Sequence, residues 1–146
     1  MAIDALKKLF ESALPSGVFW LKSHAAPAEV SKLAKSHDMA FFHLDGKNIE
    51  KKEQFLNHAA TAMHFPDYFG NNWDSFEECL TDLEWVDGAG FVIYFDHTDG
   101  FAQHHESQLE TVIELFQDAV DTWKGEGKSM LVLLSGSEPV DGVKKI

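Results

Sequence analysis

Arginine is absent from this sequence. All twelve basic residues are lysine, they stand against 24 acidic residues, and the formal net charge is −12. Arginine is the usual planar clamp for phosphate, and a nucleic-acid backbone repels a chain of this sign. The composition therefore argues against direct binding of DNA or RNA and for encounter with a basic partner, although solubility alone would also account for an acidic surface. Cysteine is almost absent. Cys79 has no second thiol to pair with, which excludes an internal disulfide and suits a reducing compartment. Long apolar runs are missing too. None approaches a membrane span, and Met1 to Leu14, interrupted by Asp4 and Glu11, lacks the apolar stretch of a secretory signal. A cytoplasmic location is the expectation.

Apolar and aromatic residues are plentiful: 45% of the chain is hydrophobic, with twelve Phe and four Trp. That is the composition of a packed globule. A length of 146 residues fits a single domain, long enough to fold around one core without staples.

Periodicity divides the chain into alternating elements. Ile3, Leu6, Leu9, Phe10 and Ala13 recur at helical spacing up to Pro15-Ser16-Gly17. Val18 to Leu21 reads as a short strand and Pro27 to His37 as a helix with proline near its start. Met39 to Leu44 is a second strand, closed by Asp45-Gly46. Asn48 is a plausible cap for a helix over Glu50 to Met63, and Asn72 for one from Trp73 to about Leu83. Phe91 to Phe95 is a buried type of strand, Asp96 to Gly100 is polar, Leu109 to Trp123 is a long amphipathic helix, and Met130 to Leu134 is the last strand. Beyond Ser135 no period is visible, which predicts a frayed tail. Short strands that are apolar on both faces and separated by helices predict an α/β fold, a small, mostly parallel sheet of three or four strands covered by helices.

The stretch from Pro66 to Thr81 is the most informative. At 100° per residue, Trp73, Phe76, Cys79, Leu80 and Leu83 share an inward arc of about 120°. Asp74, Glu77, Glu78 and Thr81 fall opposite, with Asp82 at the edge. Asp74 and Glu78 stand at i,i+4, where like charges repel by roughly 0.2–0.5 kcal/mol. The helix dipole returns about 0.3–1 kcal/mol for an acid in the first turn. The two nearly cancel, so a solvated acidic turn remains an adequate reading of the spacing alone. An exposed face supplies neither the cleft nor the separated environments a catalytic carboxylate pair needs, and it offers too few oxygens for calcium. Acids with no cation in their own chain suit cations on another chain.

In this segment Pro66, Tyr68, Phe69, Gly70, Asn72, Asp74, Glu78, Cys79, Leu80 and Thr81 stand at fixed spacing. In that pattern the chain resembles the barstar family of ribonuclease inhibitors, over about residues 39–135. The resemblance implies a barstar-like core to which residues 1–38 add a helix, strand and helix, either extending the sheet or forming a dimer contact, with 136–146 as a flexible tail. It implies an inhibitor, not an enzyme, that blocks a secreted ribonuclease with helix-borne carboxylates in place of RNA phosphates. Tyr68, Phe69 and Gly70 would form the binding loop, preceding Asn72. Asp74 and Glu78 would be the two helix acids entering the phosphate pocket, and Asp118 a further acidic contact. Glu78 stands where the family usually has Asp, Glu77 where it has an aromatic, and Phe69 lacks a tyrosine hydroxyl, departures that bear on which ribonuclease is met. The competing reading is an acidic interaction module that binds another basic protein without ribonuclease inhibition; more distant is a hydrolase using Asp74, Glu78 and a histidine.

No cofactor is expected. The eight histidines show no ligand spacing along the chain, so no metal site is predicted. Cys79 lies on the inward arc and reads as an inert core thiol. Gly88 and Gly90 precede a strand and make no phosphate-binding fingerprint.

Overall fold

The computed structural model describes residues 2–146. In chain order the elements are α1 (Ala2–Phe10), β1 (Gly17–Trp20), α2 (Pro27–Ser36), β2 (Met39–Asp45), a 3-10 turn (Gly46–Asn48), α3 (Lys52–Ala62), α4 (Trp73–Asp82), β3 (Gly90–Asp96), α5 (Asp99–His104), α6 (Glu106–Gly125), β4 (Ser129–Leu134) and β5 (Lys144–Lys145). The strands form one parallel sheet in the order β2-β3-β4-β1-β5.

Alternation along the central strands divides the core in two, since successive side chains point to opposite faces. Phe91, Ile93 and Phe95 of β3 and Met130, Val132 and Leu134 of β4 meet α3, α4, α5 and α6 through residues such as Phe55, Phe76, Leu80, Phe101 and Phe116. Val92 and Tyr94, with Leu131 and Leu133, point the other way, onto Leu6 and Phe10 of α1 and Val30 and Ala34 of α2. The N-terminal segment thus adds a strand beside β4 and covers the second face of the sheet.

Three local readings change. The sheet has five strands, not three or four, because the chain beyond Ser135 returns to it: Lys144 and Lys145 pair with Phe19 and Trp20 of β1, and Val143 is buried. Asn48 does not cap α3. It ends the 3-10 turn, and the side chain of Gln54 reaches back to accept from the N–H groups of Glu50 (2.8 Å) and Lys51 (3.0 Å). The polar run after β3 contains α5, six residues too short to show a period.

Candidate functional site

α4 begins as its sequence dictates. Asn72 Oδ1 accepts the Ser75 N–H at 2.8 Å, the hydroxyl of Ser75 accepts the Gly70 N–H at 2.7 Å, and Asn72 Nδ2 donates to the Gly70 carbonyl at 3.2 Å. These bonds satisfy amides that a helix start leaves orphaned and tie the preceding loop to the first turn. A side chain at Gly70 would meet Asn72 Nδ2 at 3.2 Å, so glycine keeps this junction close. Asn71 takes up the bend in the left-handed region (φ 53).

The inward arc is buried as expected at Phe76, Cys79, Leu80 and Leu83, whereas Trp73 is half-buried. Trp73 donates its indole N–H to Gln108 (3.1 Å), and Trp123 donates to the Leu80 carbonyl (2.8 Å). Those contacts lay α4 alongside α6 in the same direction. Burial pushes the Cys79 thiol pKa up, against a smaller opposing contribution from the Tyr68 hydrogen bond. Such a thiol is a poor nucleophile.

On the opposite side Asp74 and Glu78 are exposed and Glu77 is half-buried; Asp118 is exposed on α6. Among the described residues, the close contacts between acidic and basic side chains all involve histidine, and none includes Asp74, Glu77, Glu78 or Asp118. Asp82 continues the Asp74–Glu78 row at the next i,i+4 step, and it is occupied. Tyr68, 52% exposed, donates its hydroxyl to Asp82, and that hydrogen bond holds the phenol pKa far above its ordinary value. The loop is thereby pinned along the outward face of α4. Phe69 turns inward against Phe65, ring centroids 5.0 Å apart. Of the residues singled out from sequence, Tyr68, Gly70, Asn72, Asp74, Glu77 and Glu78 come together on one loop-and-helix surface. Phe69 supports it from below, and Asp118 lies on the neighbouring helix. Asp82 is the residue that sequence placed only at the margin; its i,i+4 step from Glu78 is the signal that could have found it.

A second group was not visible along the chain. His24, His43 and His97 surround the carboxylate of Asp96, a residue 1% exposed at the end of β3. The histidines that showed no spacing in sequence are brought together by the sheet, with 72 residues separating His24 from Asp96.

The profile of the family described as Barstar (barnase inhibitor) matches residues 39–135. The chain belongs to the barstar family. Its match begins at the first residue of β2 and ends just after β4, so the barstar core includes α4 and its loop, while β1, α1 and α2 lie outside it. A protein of Bacillus subtilis (strain 168) named "Putative ribonuclease inhibitor YrdF" is 30% identical over 90 residues, 60% of this chain and 93% of that protein. Among solved structures, the Aeropyrum pernix ORC2 protein (ADPNP-ADP complexes) has a TM-score of 0.60 at 11% identity, covering 93% of this chain and 40% of that one. That likeness is one of fold. A Drosophila ORC structure bound to DNA has a TM-score of 0.47 at 8% identity, over 93% of this chain and 80% of that one.

Proposed function

We propose that this barstar-family chain inhibits a ribonuclease by reversible occupancy, presenting Asp74 and Glu78 to the cations that would otherwise hold the scissile phosphate. The observation that carries the reading is the exposed pair itself. Two carboxylates one helical turn apart stand unneutralised beside an ordered aromatic loop, while the third acid of their row is taken by Tyr68. Four residues of α-helix rise about 6 Å, so the pair can present two anionic groups in a line, as a phosphodiester strand does. Lysines and arginines of an enzyme's phosphate pocket would donate charge-assisted hydrogen bonds to these carboxylates. Tyr68 adds flat contact area at low entropic cost. The partner is a basic, secreted ribonuclease met inside the producing cell, and the acidic surface steers the encounter. Steering of this kind is established for barstar with its ribonuclease.

The test is inhibition of a basic secreted ribonuclease by the purified chain at low and high ionic strength. Inhibition that weakens as salt is added, and that falls by about 2–5 kcal/mol in binding for Asp74→Ala or Glu78→Ala with little change in thermal stability, is the expected result. Tight binding to a different basic protein with no effect on ribonuclease activity would overturn the reading in favour of a repurposed interaction module. Glu77, at the margin of the acidic face, belongs to the steering field. Glu77→Lys is expected to slow association more than it hastens dissociation, which stopped-flow kinetics can separate.

A further inference from the structure

We propose a divalent transition-metal site at the C-terminal edge of the sheet, formed by His24, Asp96 and His97. Asp96 Oδ2 lies 3.2 Å from His24 Nε2 and 3.6 Å from His97 Nε2. All three ligand atoms lie within 4.8 Å of one another. A tetrahedral ion with bonds of roughly 2.0–2.1 Å to nitrogen and oxygen sets neighbouring ligand atoms about 3.3–3.4 Å apart, so the two distances to Oδ2 bracket that spacing. The other oxygen, Oδ1, takes His43 Nε2 at 2.8 Å. His43 is thus a positioning residue that fixes the carboxylate, the outer-shell arrangement common around metal ligands.

The backbone is arranged for this convergence. Consecutive strand residues project to opposite faces, yet Asp96 and His97 direct their side chains to one place. His97 achieves this at φ 50, a left-handed conformation that costs a non-glycine residue energy. Gly46 permits it, because a Cβ there would collide with the carbonyl oxygens of Asp96 and His97. Asp96 is 1% exposed and has no lysine partner among the described residues. Neutral imidazoles can hydrogen-bond that buried carboxylate but do not neutralise it, whereas a cation would.

The location agrees. Ligands of open parallel sheets bind beyond the carboxyl ends of strands, where neighbouring connections leave for opposite faces. Here β1 leads to α2 on one face and β3, with the end of β4 lying between them, leads to α5 and α6 on the other. Between them lies a crevice of about 190 Å³ lined in part by Lys22, His24, His97, Asp99 and Ser137. Three protein ligands leave a fourth position facing that crevice, the pattern of a site that binds water or a small anion rather than a closed structural site. Two imidazoles and one carboxylate favour a zinc-like ion over calcium or magnesium. His24 lies before the family span and Asp96 within it, so the ion would fasten the N-terminal segment to the barstar core. The site is independent of the inhibitor reading.

The test uses the full chain without an affinity tag, stripped with EDTA and titrated with ZnCl2. Expected are one bound ion per chain and a rise in Tm of roughly 5–10 °C with metal in hundredfold excess over Kd. Co2+ in place of Zn2+ should give the d–d bands of a tetrahedral ion. His24→Ala, on an exposed loop, and Asp96→Asn should each lose binding by more than the roughly 10–100-fold expected of His43→Ala, while His104→Ala leaves it unchanged. Absence of stoichiometric binding, or binding untouched by His24→Ala and by His97→Ala, would overturn the proposal and reduce the cluster to hydrogen bonds around a buried carboxylate.

Discussion

His58 shows how one side chain can set a pH limit on this molecule. It is half-buried, and its Nε2 accepts the Asp45 N–H at 3.0 Å. Burial lowers its pKa from the ordinary 6.5, with the Asp45 carboxylate opposing the shift in part. An accepting nitrogen must be unprotonated, so the folded chain resists a proton that the unfolded chain takes readily. The stabilisation is complete above pH 6.5, and it is lost as pH falls through that value and then through the lowered folded pKa. Tm is therefore expected to fall more steeply between about pH 7 and 5 in the native chain than in His58→Gln, which keeps an acceptor but does not titrate. Equal slopes would refute the assignment. Tyr68 belongs to the same scale. Its phenol stays a donor to Asp82 at any ordinary pH. Tyr68→Phe should leave global stability within about 0.5 kcal/mol, as for an exposed position, while weakening ribonuclease inhibition by releasing the loop.

At the scale of the element, α4 and its loop form one unit. Asn72→Ala is expected to cost about 1 kcal/mol in a denaturant titration and also to weaken inhibition, because Asn72 holds Gly70 and Ser75 as well as the helix start. Asp74→Ala should affect inhibition alone, so the two variants separate scaffolding from contact. This unit was legible in the sequence because all of it is local: a cap, an inward arc and an outward row lie within Pro66 to Asp82. Asn48 misled for a physical reason. A suitable cap residue preceded a helix, but the 3-10 turn intervened and Gln54 supplied the hydrogen bonds from inside. α5 escaped because six residues carry no readable period. β5 escaped because pairing of Lys144–Lys145 depends on a backbone edge that β1 offers, not on their side chains. The histidine cluster was illegible because it is built by parallel strands whose neighbouring ends are far apart in sequence.

For the molecule as a whole, the N-terminal segment does structural work that the family core does not do for itself here. Val92, Tyr94, Leu131 and Leu133 are fully buried beneath it. Uncovering four such side chains forfeits roughly 1.5–3 kcal/mol each, a sum comparable to the whole stability of a typical domain, about 5–15 kcal/mol. A chain of residues 39–146 alone is thus expected to lose cooperative unfolding by circular dichroism and to self-associate. A sharp transition near the full-length Tm would show that the core stands unaided. The same architecture keeps α4 and the Asp96 cluster on opposite sides of the sheet, since β3 residues 92, 94 and 96 alternate away from the face that α4 covers.

The row of strands has two open rims, and they are guarded differently. At one rim β5 offers a newcomer only two residues of ladder, both lysine. Charge and brevity are the usual defence against edge-to-edge growth. At the other rim β2 runs for seven residues, and the outward N–H of Asp45 is covered by a single imidazole. Acid strong enough to pass the lowered pKa of His58 withdraws that second guard and leaves the first untouched. Polymers formed in acid should therefore extend from the Met39–Asp45 rim, and storage above neutrality should suppress them.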